Sequence, residues 1–103
     1  IDVTRTYTEN AEVITGRWSG GRLGTVRAGR PYSNYGVVAF LPKNRTNVKA
    51  DFDVDYSPLL REIVKFVGTG NPPVPNEETL KIFAFMDAAQ RSREAGGKTV
   101  PVE

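Results

Sequence analysis

Ala11-Glu-Val-Ile-Thr-Gly-Arg17, then Trp18-Ser-Gly-Gly21, then Arg22-Leu-Gly-Thr-Val-Arg-Ala28 is the stretch on which the fold turns. Polar and apolar residues roughly alternate on both sides of the centre: Val13, Thr15, Arg17, then Leu23, Thr25, Arg27. Gly20-Gly21 supplies the positive φ that tight hairpin turns need. The spacing predicts a β-hairpin, two short strands joined at Trp18–Gly21.

Downstream, residues 29–35 carry loop chemistry around Gly29 and Pro31. Gly36 to Leu41 is a short apolar run that reads as a buried strand. Val48 to Val54 alternates apolar and charged residues and reads as a half-exposed strand. The period changes near Asp55. Ser57-Pro58 predicts a helix start, with a hydroxyl at the cap and proline at the first helical position. Leu59, Leu60, Ile63, Val64 and Val67 follow at helical spacing. Gly68 and Gly70 end that helix, and Asn71-Pro72-Pro73-Val74-Pro75 is an extended linker.

Asn76 is placed to cap a second helix, with Glu77 and Glu78 in its first turn and Arg91 and Arg93 in its last, as the macrodipole favours. Its expected apolar stripe is Leu80, Phe83, Met86 and Ala89, widened by Ile82 and Phe85; Phe66, Phe83 and Phe85 are expected in the core. Gly96-Gly97 stops it. Thr99 to Val102 adds a last strand, which Pro101 assigns to a sheet edge. The expectation is one α+β domain over 1–103: a strand-rich half over 1–54, two helices over 55–97 and a final edge strand over 98–103. Its sheet should be open and mostly antiparallel, with each helix packed on it or on the other helix.

Composition narrows the chemistry. The 103 residues are 39% hydrophobic and 25% charged, and contain no cysteine and no histidine. That excludes disulfides, thiolate chemistry, the usual zinc sites and Ser-His-Asp triads. The net charge is only +2, from 14 basic and 12 acidic residues. Arg17, Arg22, Arg27, Arg30, Lys43 and Arg45, interleaved with Trp18, Tyr32 and Tyr35, have the composition of a single-strand nucleic-acid surface. The small net charge favours a solvated sheet face instead. No run of about 18 apolar residues and no signal segment occur, so the expectation is no membrane contact, with a cytoplasmic location favoured. The chain starts at Ile1, and its single methionine is Met86; upstream polypeptide is the expectation.

Three motifs resemble ligand sites. Gly96-Gly97-Lys98-Thr99 resembles the end of a phosphate loop, but Ser92 stands where that motif has glycine, and the segment follows a helix instead of preceding one. A helix C-cap is the better reading. Gly20-Gly21-Arg22-Leu23-Gly24 lacks dinucleotide-loop spacing. Asp51, Asp53 and Asp55 would share one strand face, but lack the glycine and distal glutamate of a calcium loop, so a solvated strand edge is preferred. Asn44-Arg45-Thr46 fits a glycosylation acceptor, a triplet common by chance. No metal site is expected.

The order and spacing of several pieces carry a resemblance. Tyr56-Ser-Pro-Leu-Leu-Arg-Glu-Ile-Val-Lys-Phe-Val-Gly-Thr-Gly70, Pro72-Pro-Val-Pro75, Glu77-Glu-Thr-Leu80, Phe85-Met-Asp-Ala-Ala89, Ser92 and Gly96-Gly-Lys-Thr-Val100 together resemble the C-terminal end of the glucose-fructose oxidoreductase / inositol dehydrogenase / rhizopine catabolism (Gfo/Idh/MocA) family. Gly16 to Ala28 and Tyr35-Gly-Val-Val38 resemble strands of the same domain. The likeness spans about residues 12–102.

The resemblance implies the end of an α+β second domain that follows a Rossmann domain, the latter binding NAD or NADP. The family's glycine-rich loop, Glu-Lys-Pro lysine and histidine motif have no counterpart here, so no catalytic or cofactor-binding residue is carried over. By the same analogy, the loop with Arg30, Tyr32 and Tyr35 would touch a substrate or a neighbouring subunit, with an ordinary surface loop as the alternative. The implied partners are the parent's Rossmann domain and further copies of the chain, with no nucleic acid. A truncated sheet with open edges and an uncovered apolar face leads to the same expectation of self-association.

Overall fold

The computed structural model describes residues 1–31, 35–42, 48–52 and 55–103. It is α+β, with the elements β1 (Asp2–Tyr7), β2 (Ala11–Arg17), β3 (Leu23–Gly29), β4 (Tyr35–Ala39), β5 (Val48–Phe52), α1 (Ser57–Thr69), α2 (Asn76–Glu94) and β6 (Val100–Pro101). The chain forms two compact units, Ile1–Tyr32 with Val74–Glu103, and Ser33–Pro73.

The first unit is a four-stranded open sheet in the order β3-β2-β1-β6, antiparallel throughout. The expected hairpin is present as β2 and β3, in register from Ala11 opposite Gly29 to Arg17 opposite Leu23. β1 is a strand that hydrophobic alternation alone does not announce: only Val3 is a buried apolar residue on it. It sits between β2 and β6, and β6 takes the edge that Pro101 requires.

Register fixes what each face carries. Val3, Arg5 and Tyr7 share one face with Glu12, Ile14 and Gly16 and with Gly24, Val26 and Ala28. α2 lies on this face, and Val3, Ala88 and Ala89 form the small core with Ile14, Phe85, Val100 and Val102 packed around it. The opposite face is mixed, with Val13 and Leu23 among polar residues, and Thr4, Thr15 and Thr25 form a row across β1, β2 and β3. The Thr4 hydroxyl also hydrogen-bonds that of Thr99 at 2.7 Å.

The buried stripe of α2 differs from the one its large residues suggest. Phe85, Ala88, Ala89 and Ser92 turn inward, whereas Leu80, Phe83 and Met86 are 68%, 61% and 57% exposed. Small side chains let the helix approach the sheet closely, so size, not hydrophobicity alone, selects the packed face. Phe83 is therefore not in the core.

Both helix starts differ from expectation. No side chain caps α2; Pro75 is its cap residue, and its carbonyl accepts from the amides of Glu78 and Thr79 at 3.0 and 3.2 Å. At α1 the cap residue is Tyr56, and the Ser57 hydroxyl does not cap. The Asp55 carboxylate instead accepts from the Ser57 amide at 2.6 Å. Both helix ends follow the glycines: Gly70 closes α1 with φ 71°, and Gly96 and Gly97 follow α2 with φ 72° and 87°.

In the second unit, β4 pairs antiparallel with β5. The apolar run on β4 was expected to be buried, yet Val37, Val38 and Phe40 are exposed. Two paired strands bury little surface unless a further layer covers them. α1 likewise buries none of its residues, so Phe66 is not core and Leu59, Leu60, Val64 and Val67 face outward. Among the described residues no helix is long and apolar enough to cross a membrane.

Candidate functional site

The hairpin turn places the chain's single tryptophan. The amide of Trp18 donates to the carbonyl of Arg22, and that of Gly21 to the carbonyl of Trp18, both at 3.0 Å. Gly21 takes φ 77°, which suits glycine. The Trp18 side chain folds back over Gly16 and Gly24, which face each other across β2 and β3. A Cβ on Gly16 would lie 2.6 Å from Phe85 and 2.7 Å from Trp18, and one on Gly24 would lie 3.1 Å from Trp18. The two glycines thus make a shelf on which the indole rests. Phe85 of α2 stacks on it, with ring centroids 5.8 Å apart.

This stack forms one wall of a groove of about 490 Å³, between α2 and the β3 side of the sheet. Val26, Ile82 and Val102 extend the apolar lining, and Glu78 and Lys81 are the charged side chains that line it among the described residues. Its size falls within the usual range for ligand pockets. Lys81 donates to Glu77 at 2.6 Å, and that hydrogen bond raises the lysine pKa and lowers that of Glu77. The lining of the groove is mainly apolar.

A second cluster lies at the other end of the same face. Glu12 is only 4% exposed. Its carboxylate pairs with Arg5, whose Nε donates at 2.6 Å, and with Arg30. Arg5 also donates to Gln90 at 3.3 Å, and the Arg93 guanidinium lies 5.3 Å above the Tyr7 ring. Ser92 links α2 to this end: its hydroxyl accepts from the Arg5 amide at 2.9 Å and donates to the Lys98 carbonyl at 2.7 Å.

The candidate residues fall in different places. Arg30 is tied to Glu12 within the first unit, Tyr35 begins β4 in the second, and Tyr32 lies outside the described residues. Asp53 also lies outside them, and so does the Asp51 side chain; Asp55 serves the start of α1. Asn44-Arg45-Thr46 lies outside too, as does Lys43. Of the basic and aromatic residues considered for nucleic acid, Arg17 pairs with Asp2 at 2.5 Å and Trp18 is packed against Phe85.

Neither glycine pair fits a dinucleotide, because Gly20-Gly21 is a hairpin turn and Gly96-Gly97 follows a helix C-terminus. The groove gave no sequence signal, because its shelf is two glycines on different strands and its wall comes from a turn and a distant helix.

No family model, curated protein or solved structure matches the chain. Fold and site together define an α+β chain whose first unit is an open antiparallel sheet with α2 on one face and an apolar groove beside it.

Proposed function

We propose that this chain is the C-terminal, cleft-shaping and assembly portion of an NAD(P)-dependent sugar or polyol oxidoreductase of the Gfo/Idh/MocA type, not catalytic alone. The supporting observation is the open antiparallel sheet whose one face carries α2 and whose other face carries a threonine row. The exposed ridge of Leu80, Phe83 and Met86 supports it too, as a surface that a Rossmann domain of the same protein would cover. In this reading NAD or NADP binds that upstream domain, the chain forms homo-oligomers, and the protein is cytoplasmic.

Nicotinamide cofactor titrated against this chain, followed by reduced-cofactor fluorescence, is expected to give no saturable signal. Its native gene is expected to encode a glycine-rich Rossmann loop upstream. Cofactor turnover by the 103-residue chain, or a gene no longer than it, would overturn the proposal.

The groove favours a second reading, a free-standing ligand-binding or structural module. Trp18 lines it and is the sole tryptophan, so a ligand that enters would change its emission. Saturable quenching by a small aromatic probe, abolished in Ile82→Glu, is the outcome that this reading requires.

A further inference from the structure

We propose that β3 is a self-complementary edge, and that two copies of the chain join there into one continuous eight-stranded antiparallel sheet around a two-fold axis. The inference rests on the self-association in the proposed function and assigns it an edge, a partner and a register.

The free hydrogen-bonding groups of β3 follow from its pairing with β2. Arg30 donates its amide to Asn10 at 2.8 Å, and Trp18 donates to Arg22 at 3.0 Å. Both pairs continue the β2–β3 register. Hydrogen-bonded pairs alternate along an antiparallel ladder, so Gly24, Val26 and Ala28 turn their backbone groups toward β2. Leu23, Thr25, Arg27 and Gly29 turn theirs outward, where no strand among the described residues meets them. Seven residues of open edge invite pairing.

A second copy fits this edge better than an arbitrary strand, because the sequence complements itself about Val26. Antiparallel pairing centred there sets Leu23 opposite Gly29, Gly24 opposite Ala28, and Thr25 opposite Arg27, in both directions. Each larger residue meets a smaller one, and the one charge on the strand meets a hydroxyl instead of its own image. All four outward residues of each copy then find hydrogen-bond partners. A closed two-fold contact of this kind also removes both edges at once. Val26 meets Val26 of the second copy as a non-hydrogen-bonded pair, for which Cα atoms stand about 4.5 Å apart. Val26 is 54% exposed and lines the groove, so the join would bury it and set the two grooves side by side.

The chain has no cysteine, so any introduced disulfide is between chains. Val26→Cys is expected to oxidise to a covalent dimer, since about 4.5 Å lies within disulfide range. Ala28→Cys, which would face Gly24, is expected to stay unlinked. Val26→Lys, which sets like charges opposite each other, is expected to weaken the dimer at least roughly tenfold in light scattering, with the far-ultraviolet circular dichroism unchanged. A strictly monomeric wild type at high concentration would overturn both this pairing and the self-association it rests on. A dimer that Val26→Cys does not link, or that Ala28→Cys links as readily, would overturn the pairing alone.

Discussion

The indole of Trp18 lies almost parallel to the ring of Phe85, with planes 10° apart, and both rest against Gly16. A turn residue and a helix residue thus meet only because the strand between them lacks a side chain there.

Gly16→Ala should therefore be costly. Its Cβ would meet Phe85 and Trp18 ring atoms well inside contact distance, and overpacking of this kind costs about 1–3 kcal/mol. Gly24→Ala meets only Trp18, at 3.1 Å, and should cost less. Urea unfolding followed by Trp18 emission separates the two; equal costs would mean that the stack does not rest on Gly16.

Glu12→Ala should destabilise more than Arg30→Ala. The carboxylate is buried between two guanidiniums, and its loss strands the mostly buried Arg5, at a cost of about 3 kcal/mol. Arg30 is half-exposed, so its removal should cost about 1 kcal/mol or less. Paired denaturant titrations of the two variants measure the difference.

Ser92→Ala removes an acceptor for the Arg5 amide and a donor to the Lys98 carbonyl at a fully buried position. Leaving a buried group unsatisfied costs about 1–3 kcal/mol, so a loss of about 2 kcal/mol is expected. Faster hydrogen exchange at the Arg5 amide would locate the effect.

Acid should loosen the start of α1. The Ser57 amide beside Asp55 holds its carboxyl below the ordinary value. A depressed carboxyl contributes stability above its unfolded pKa of about 3.9 and loses it as pH falls through the lowered folded value. Exchange protection at the Ser57 amide should drop over that acid range in wild type. Asp55→Ala should be unprotected at neutral pH and show no such transition.

Local signals carried much of the fold into the sequence. Gly20-Gly21 marked the hairpin, Gly96-Gly97 the end of α2, and Pro101 an edge strand, because each acts through backbone conformation within a few residues. β1 was hidden because its inward positions are Val3, Arg5 and Tyr7; the Arg5 guanidinium is satisfied by Glu12 on β2, and the Tyr7 ring lies under the Arg93 guanidinium of α2. The groove was hidden for the same reason, since Trp18 and Phe85 come together only after β2, β3 and α2 have assembled. Arg30 was legible as a residue to watch, but not as the partner of Glu12, which lies 18 positions away.

The orientation of α2 gives the remaining prediction. Hydrophobicity pointed to a packed face of Leu80, Phe83, Met86 and Ala89, widened by Ile82 and Phe85; of these, Ala89 and Phe85 pack against the sheet beside Ala88, whereas Leu80, Phe83 and Met86 are exposed. Phe83→Ser at an exposed site should change stability by no more than about 0.5 kcal/mol. Ala88→Leu adds volume where the helix already touches Val3 and its neighbours, and should cost about 1–3 kcal/mol. The ranking is opposite to what side-chain hydrophobicity alone would give, because Phe83→Ser discards a large apolar group and Ala88→Leu adds one. Chemical denaturation of the two variants under identical conditions decides between the orientations: a more damaging Phe83→Ser would place the ridge inward and return α2 to the face that its large residues suggest.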